Sequence, residues 1–358
     1  MKKDRMKKVL QSMEQENMEQ LIITDAPSIY YLTDLWIHSQ ERMLALVLSL
    51  EKEPILIVNE LFPLRKDLSV RVVRYKDTDD PIRILGKYIM DEKITGIDKN
   101  WSAHFLIGLM KTFPKLTVEN GSYIVDRIRM IKDPLEIEKM KAVSRINDQA
   151  MEALFKEIPK GLTEKQMTRR LAEIYQDLGA EGFSFDPIVA YGKNGANPHH
   201  SPGDDRPQAG DSVLIDIGCH KDSYTADMTR TVFYQRMSKK QEEIYRIVQE
   251  ANASAIRAVR PGATFSDIDT AAREVIEKKG YGKYFTHRTG HSIGIEVHEY
   301  GDVSGTNREE MQEGMIFSIE PGIYLSENVG VRIEDLVLVT EQGAEVLNHV
   351  TKEPVIVE

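Results

Sequence analysis

Over the first 120 residues, short apolar runs rich in β-branched side chains (QLIIT, MLALVLSL, PILIV, VRVVRY, ITGID) alternate with stretches of helical character such as MKKVLQSMEQEN and DPIRILGKYIMDE. This alternation is the signature of an α/β layer. The pattern then changes. ENGS at 119–122 marks a turn, and Asp133 followed by Pro134 opens a long helical segment, LEIEKMKAVSRINDQAMEALFKEI. Asp is a favoured cap and Pro a favoured first helical residue, so a helix is predicted to start there. The change places a domain boundary near residue 125, giving an α/β domain over 1–125 and a second domain over 126–358.

The second domain repeats itself at an offset of 101 residues: Arg145, Ile146 and Ala150 recur as Arg246, Ile247 and Ala251, and Gly161, Thr163 and Gly179 recur as Gly262, Thr264 and Gly280. Each half reads as helix, Gly-x-Thr turn, helix, glycine stop. Thr163 and Gln166 form a capping-box pattern, and Met167, Leu171, Ile174 and Leu178 mark one helical face. Each half then reads as two strands joined by a turn, DSVLIDIGCHKDSYTADMTRTVFY and GMIFSIEPGIYLSENVGVRIEDLVLVT.

Those β segments carry the chemistry. Asp216 and Glu320 each end an apolar strand two positions before a glycine, and Asp227 and Glu334 are expected on the returning strands. A buried carboxylate must be neutralised, paired or given a metal. Alternation along VRIED puts Arg332 and Glu334 on one face, so a buried Arg332–Glu334 pair is one outcome. Four acids at matching positions of a duplicated unit favour the other, two divalent cations about 3.5–4 Å apart bridged by carboxylates. Oxygen-rich ligation with one nitrogen suits Mn²⁺, Co²⁺ or Fe²⁺ better than a structural Zn²⁺ site built on cysteines.

His287, His291 and His298 are spaced as if on one helical face, but Gly290 and Gly294 weaken a helix and IGIEVHE alternates like a strand. The three imidazoles therefore need separate roles. His200 and His220 read as exposed turn residues. Tyr224, three positions before Asp227, is a candidate to support the site through its hydroxyl.

The formal charge of −10, from 47 basic and 57 acidic residues, provides no field to recruit nucleic acid or an anionic membrane and points to a small substrate. The basic start MKKDRMKK is followed by the polar VLQSMEQENMEQ, so no signal peptide is expected, and no run is long enough to cross a bilayer. A single cysteine, Cys219, excludes an intramolecular disulfide and fits a reducing cytoplasm; it reads as a small, half-buried strand residue.

The motifs DIG (216–218), DMTR (227–230), HRTGHSIGIEVHE (287–299), IEPG (319–322) and VRIED (331–335), in that order, resemble the pita-bread metallopeptidases, in particular the Xaa-Pro dipeptidase (prolidase) and aminopeptidase P subgroup. The resemblance covers essentially the whole chain. It implies an N-terminal creatinase/prolidase-type α/β domain ahead of a duplicated α+β catalytic domain with a curved antiparallel sheet. It also implies the metal ligands Asp216, Asp227, His291, Glu320 and Glu334, with Asp227 and Glu334 bridging two ions, Mn²⁺ foremost and Co²⁺ or Zn²⁺ as alternatives. The implied reaction is attack of a metal-bridging hydroxide on the bond preceding proline, most readily in Xaa-Pro dipeptides. His199, His298, Glu320 and Arg332 would be the catalytic groups, with His199 and His298 lining the substrate pocket and Glu320 as proton shuttle. His287 corresponds to a position often occupied by histidine in the family and would orient a ligand or the substrate. A homodimer is implied, with Trp36 and His38 of YLTDLWIHSQER as candidate contributors to the neighbouring active site.

The chain departs from the family pattern at three places. Ser292 stands where glycine is common, Gly301 where proline usually follows the HE motif, and Asp302 where some prolidases use an arginine to grip the dipeptide carboxylate. Arg288, Arg308 and Arg332 are the remaining candidates for that grip. Creatinase has this fold without the metal site, and the intact ligand set argues against that activity. Aminopeptidase P, acting on longer Xaa-Pro peptides, and a noncatalytic binding protein on the same fold remain as alternatives.

Overall fold

The computed structural model describes residues 2–65, 68, 70–326 and 329–358. The chain divides into two compact units, Met1–Arg129 and Met130–Glu358. Among the described residues no helix is long and apolar enough to cross a membrane.

The first unit is built on a six-stranded mixed sheet. Its strands are β1 (Gln20–Ile23), β2 (Ala45–Ser49), β3 (Ile55–Asn59), β4 (Arg71–Tyr75), β5 (Ile94–Ile97) and β6 (Thr117–Asn120), in the order β4-β3-β2-β1-β5-β6. β2 runs antiparallel to both β1 and β3, and the other neighbours are parallel. The continuous apolar runs are strands buried on both faces, as in β2 and β3. The helices are α1 (Lys3–Gln15), α2 (Ala26–Thr33), α3 (Pro81–Leu85), α4 (Ala103–Thr112) and α5 (Ser122–Met130). The helix expected over DPIRILGKYIMDE is only five residues long. It ends at Gly86, where Phe113 packs so closely that a β-carbon would have no room.

The second unit is a duplicated helix-and-sheet structure. Helices α6 (Pro134–Phe155) and α7 (Glu164–Asp177) belong to one half, and α8 (Lys239–Ala258) and α9 (Phe265–Lys278) to the other. The duplication extends to the backbone. Thr163 and Thr264 both cap the following helix in a capping box, and Gly161, Gly179, Gly262 and Gly280 all have positive φ. Each cap contributes about 1 kcal/mol.

The strands of the first half are β7 (Ile188–Tyr191), β8 (Ser212–Ile217), β9 (His220–Lys221), β10 (Tyr224–Thr225) and β11 (Met228–Tyr234). Those of the second are β12 (Gly290–Ser292), β13 (Glu299–Val303), β14 (Ile316–Ile319), β15 (Gly322–Leu325), β16 (Val329–Arg332), β17 (Asp335–Thr340) and β18 (Gly343–Val346), and β19 (Ile356–Val357) returns to pair with β11. The sheet orders are β19-β11-β8-β7 and β13-β12-β14-β17-β18. The expected pair of strands in each half is a four-strand arrangement. The outer strands pair with each other (β8 with β11, β14 with β17), and a small hairpin (β9–β10, β15–β16) is inserted between them. The turn expected at Glu327 and Asn328 lies outside the described residues.

Each half has its own core. α6 and α7 pack Val143, Met151, Met167 and Leu171 on Val213 and Ile215, while α8 and α9 pack Ile244, Val248, Phe265 and Ile268 on Phe317 and Val337. Cys219 is fully rather than half buried, and burial pushes its thiol up to about 12. It is an inert core residue.

Candidate metal centre

The inserted hairpins decide where the acids go. Asp216 lies near the end of β8, while Asp227 stands in the gap between β10 and β11. Glu320 and Glu334 occupy the matching gaps, between β14 and β15 and between β16 and β17. Asp227 and Glu334 thus precede the returning strands rather than lie on them. The halves are joined at this point, where Glu334 N donates to Thr229 O and Thr231 Oγ1 to Arg332 O.

Ligand atoms of Asp227, His291 and Glu334 come within 4.8 Å of one another, and all three residues are buried. His291 Nε2 lies 3.6 Å from Asp227 Oδ2 and 3.5 Å from Glu320 Oε1. Its Nδ1, 3.2 Å from Ser292 O, donates there and leaves the Nε2 lone pair facing the carboxylates. Burial and the nearby His298 lower the pKa of His291 to about 3, so it is neutral. Burial and the charges of Glu334 and Asp216 raise Asp227 well above the usual carboxylate range. Burial and the charges of Glu320 and Asp216 do the same for Glu334, and Glu320 is raised to about 7, burial again first. Among the described residues Asp216 Oδ1 and Asp227 Oδ1 are buried without a hydrogen-bond partner. Unsatisfied carboxylate oxygens and a free imidazole lone pair are the donor set a divalent cation needs, and the residues fit such an ion.

Arg332 does not pair with Glu334. Its Nη2 donates to Asp216 Oδ2 (2.5 Å), its Nη1 to Tyr324 Oη (2.9 Å) and its Nε to Thr229 Oγ1 (3.0 Å). Glu334 instead accepts from the Thr229 hydroxyl at 2.6 Å, so alternation placed Arg332 and Glu334 beside the same threonine without pairing them. His287 Nδ1 contacts Arg288 O at 2.7 Å, and its Nε2 meets the Tyr324 hydroxyl at 2.8 Å. Burial and the Arg332 charge lower its pKa to about 4. Asn147 and Asn252, one on the long helix of each half, donate to Ile217 O and Ile319 O beside the ligands. Thr229 lies within the DMTR motif, while Tyr324 and these asparagines carry no motif signal, and the partners of all four are fixed only by folding.

IGIEVHE is not a strand. Residues 293–298 form a bent loop because the Glu299 carboxylate folds back to accept Ile295 N and Glu296 N, and Gly294 lies where a β-carbon would crowd that carboxylate. Lys132, also buried, completes the Glu299 ion pair at 3.2 Å. Two of the departures meet: Ser292 Oγ donates to Gly301 O at 3.1 Å, and Gly301 has φ +113, which proline cannot adopt. The third departure, Asp302, binds Arg288 at 2.6 Å.

All five ligand candidates, together with His199, His298, His287, Arg288 and Arg332, line a cavity of about 490 Å³. Arg308 is not among its lining residues and donates to Ser266 Oγ at 2.6 Å. Trp36 and His38 lie in a loop of the first unit, where Trp36 stacks between Tyr30 and His38 with centroids 4.8 and 5.7 Å apart. Tyr224 donates to Glu136 Oε1 rather than to a ligand. His200 and His220 are half-buried rather than exposed, His200 against Glu164 and His220 in β9.

Residues 138–341 match the model of metallopeptidase family M24, and residues 5–131 match the creatinase/prolidase N-terminal domain. The chain belongs to metallopeptidase family M24. An uncharacterised peptidase of Staphylococcus aureus is 34% identical over 352 residues, covering 96% of this chain and 99% of the relative. Among solved structures, dipeptidase PepE from Mycobacterium ulcerans is 32% identical with a TM-score of 0.93, covering 99% of this chain and 97% of that one. A prolidase from Thermococcus sibiricus is 32% identical with a TM-score of 0.92, covering 99% and 98%. The fold that the motifs implied is the fold observed, and the carboxylate and histidine cluster is a group that could hold a divalent ion, as a metallopeptidase requires.

Proposed function

We propose that this protein is a dinuclear metal-dependent peptidase that cleaves the bond preceding proline, with Xaa-Pro dipeptides as its substrates. The reading rests on one observation: five ligand side chains and His199 and His298 line a single cavity of dipeptide scale, about 490 Å³. Two divalent ions, Mn²⁺ by preference with Co²⁺ or Zn²⁺ as substitutes, supply Lewis acidity for the scissile carbonyl and an activated water near neutral pH.

The chain's own residues do the rest. Asp227, His291 and Glu334, whose ligand atoms gather within 4.8 Å, would hold the metal together with Asp216 and Glu320, which line the same cavity. Glu320 moves the proton from the attacking water to the leaving amine. His199 and His298 donate to the oxygen that becomes negative as the carbonyl turns tetrahedral. Arg288 receives the substrate carboxylate, because it lines the cavity as Arg308 does not, its ion-pair partner Asp302 is exposed, and Arg332 is buried and committed to Asp216, Tyr324 and Thr229.

One observation favours a second reading, aminopeptidase P acting on longer peptides: Arg288 is already paired with Asp302. Hydrolysis of an Xaa-Pro dipeptide compared with an Xaa-Pro-Xaa tripeptide separates the two. A higher kcat/KM on the dipeptide is expected, and a clear preference for the tripeptide overturns the dipeptidase. Cytoplasmic location and a homodimer offering the Trp36 and His38 loop to the neighbouring site complete the proposal. The location rests on the single cysteine, Cys219, and the homodimer on the family resemblance.

A further inference from the structure

His199 has no secondary structure to hold it. It sits in the turn Asn197–His200 of a segment, 197–211, that has no helix or strand, and its own side chain is exposed. Yet a group that must meet a developing charge has to be placed to within a fraction of an ångström. The constraint comes from beneath the loop.

Glu164, the first residue of α7, is fully buried, and both of its carboxylate oxygens are saturated by residues of the stretch 191–203, which runs from the end of β7 into this segment. Oε1 accepts from Tyr191 N and Asn194 Nδ2, each at 2.9 Å. Oε2 accepts from His200 Nε2 at 2.8 Å and Gly203 N at 2.6 Å. Backbone donors at both ends of the stretch 191–203 therefore converge on one carboxylate and close it into a loop with His199 near its tip. Glu164 N and Lys165 N donate in turn to Asp205 O and Gly203 O, which ties the loop to the start of the helix. Within the turn the two adjacent imidazoles part. His200 is drawn inward onto Glu164, and His199 is left facing the cavity.

We propose that Glu164 and His200 form a clamp whose task is to position His199, making both of them positioning residues for peptide hydrolysis. This rests on the catalytic reading of His199 given above. A carboxylate with four donors needs no cation or metal, so its burial is accounted for entirely by the loop it closes. Glutamine in place of His200 keeps an N–H donor for Oε2, whereas alanine does not.

The test measures kcat, KM and bound metal for His200→Ala and His200→Gln, each in the wild-type and His199→Ala backgrounds, with amide hydrogen exchange over 191–203. The expected result is a kcat for His200→Ala lower by roughly tenfold to a hundredfold, the scale of a misplaced catalytic group. KM and metal content change little, His200→Gln recovers most of the rate, and His200→Ala costs nothing more once His199 is gone. Exchange over 191–203 rises in His200→Ala. Losses that multiply independently in the double variant, or a glutamine variant as poor as alanine, overturn the clamp. Should the wild-type chain hydrolyse no Xaa-Pro peptide, the functional reading fails, and exchange alone judges the clamp: unchanged exchange in His200→Ala overturns it.

Discussion

Glu334 and Asp335 are neighbours in the chain and equally buried, and the protein treats them in opposite ways. Asp335 is met by Arg230 Nη2 at 2.6 Å and Lys352 Nζ at 2.7 Å, and although burial alone would raise its pKa, these two cations hold it below the usual range. Among the described residues Glu334 has only the Thr229 hydroxyl as its side-chain partner, and burial and the charges of Glu320 and Asp216 push it well above that range. Glu164 is a third case, ionisable and buried but satisfied entirely by neutral donors and an imidazole. A buried acid with cations or a full set of donors belongs to the architecture. One packed against other acids lacks that compensation and suits a cation the chain does not supply.

The contrast is broken most severely at Glu334. Glu334→Gln is expected to lower turnover by more than the roughly 10–100-fold that loss of an outer partner of a metal site costs. It should leave the metal-free thermal midpoint unchanged or higher, since a neutral amide replaces a buried acid that its neighbours force to keep its proton. A metal-free midpoint that falls sharply would make Glu334 an architectural acid like its neighbour.

Arg230→Leu tests the other side. It removes one of the two cations from Asp335 and is expected to cost about 3–5 kcal/mol in denaturant unfolding, the usual penalty for breaking a buried pair. A loss below about 1 kcal/mol would show that Lys352 suffices.

The pH dependence has a definite sign. Asp227, Glu320 and Glu334 have raised folded-state pKa values, so the folded metal-free chain holds protons that the unfolded chain releases near pH 4. Its stability from these groups therefore falls as pH rises through about 7, the Glu320 value. Asp335 acts the opposite way, its contribution being lost only as pH falls through the carboxylate range. Thermal melts in a chelator should give a lower midpoint near pH 8 than near pH 6, with the difference shrinking when divalent ions are added. A metal-free midpoint that rises over the same interval contradicts the assignment.

The smallest expected effect is at Arg308. Arg308→Ala should change stability by about 0.5 kcal/mol or less and leave KM for an Xaa-Pro dipeptide unchanged. A large rise in KM would move the carboxylate grip away from Arg288.

Much of this was legible in the sequence. Repetition at an offset of 101 residues exposed the two halves, because caps and glycine stops are local and survive duplication. The spacing of four acids around Gly218 and Gly322 exposed the cluster, because an acid within an apolar run is costly wherever it occurs. Partners were another matter. Arg332 chose Asp216, 116 residues away, over Glu334 two positions along, and the IGIEVHE loop bends because Glu299 captures backbone donors that alternation cannot reveal. The role of Glu164 was equally hidden, since it looks like an ordinary first-turn glutamate until loop 191–203 folds over it.

The most direct test of the central claim is metal content together with activity. Metal-stripped protein is titrated with Mn²⁺, the bound ions per chain are counted by elemental analysis, and Xaa-Pro dipeptide hydrolysis is followed at each step, with Glu334→Gln in parallel. The account predicts no hydrolysis without metal, recovery as two ions bind per chain, and at most one ion in the variant. A chain that takes up no divalent ion, or that hydrolyses the dipeptide fully after stripping, would contradict it and favour a binding protein or a metal-independent reaction.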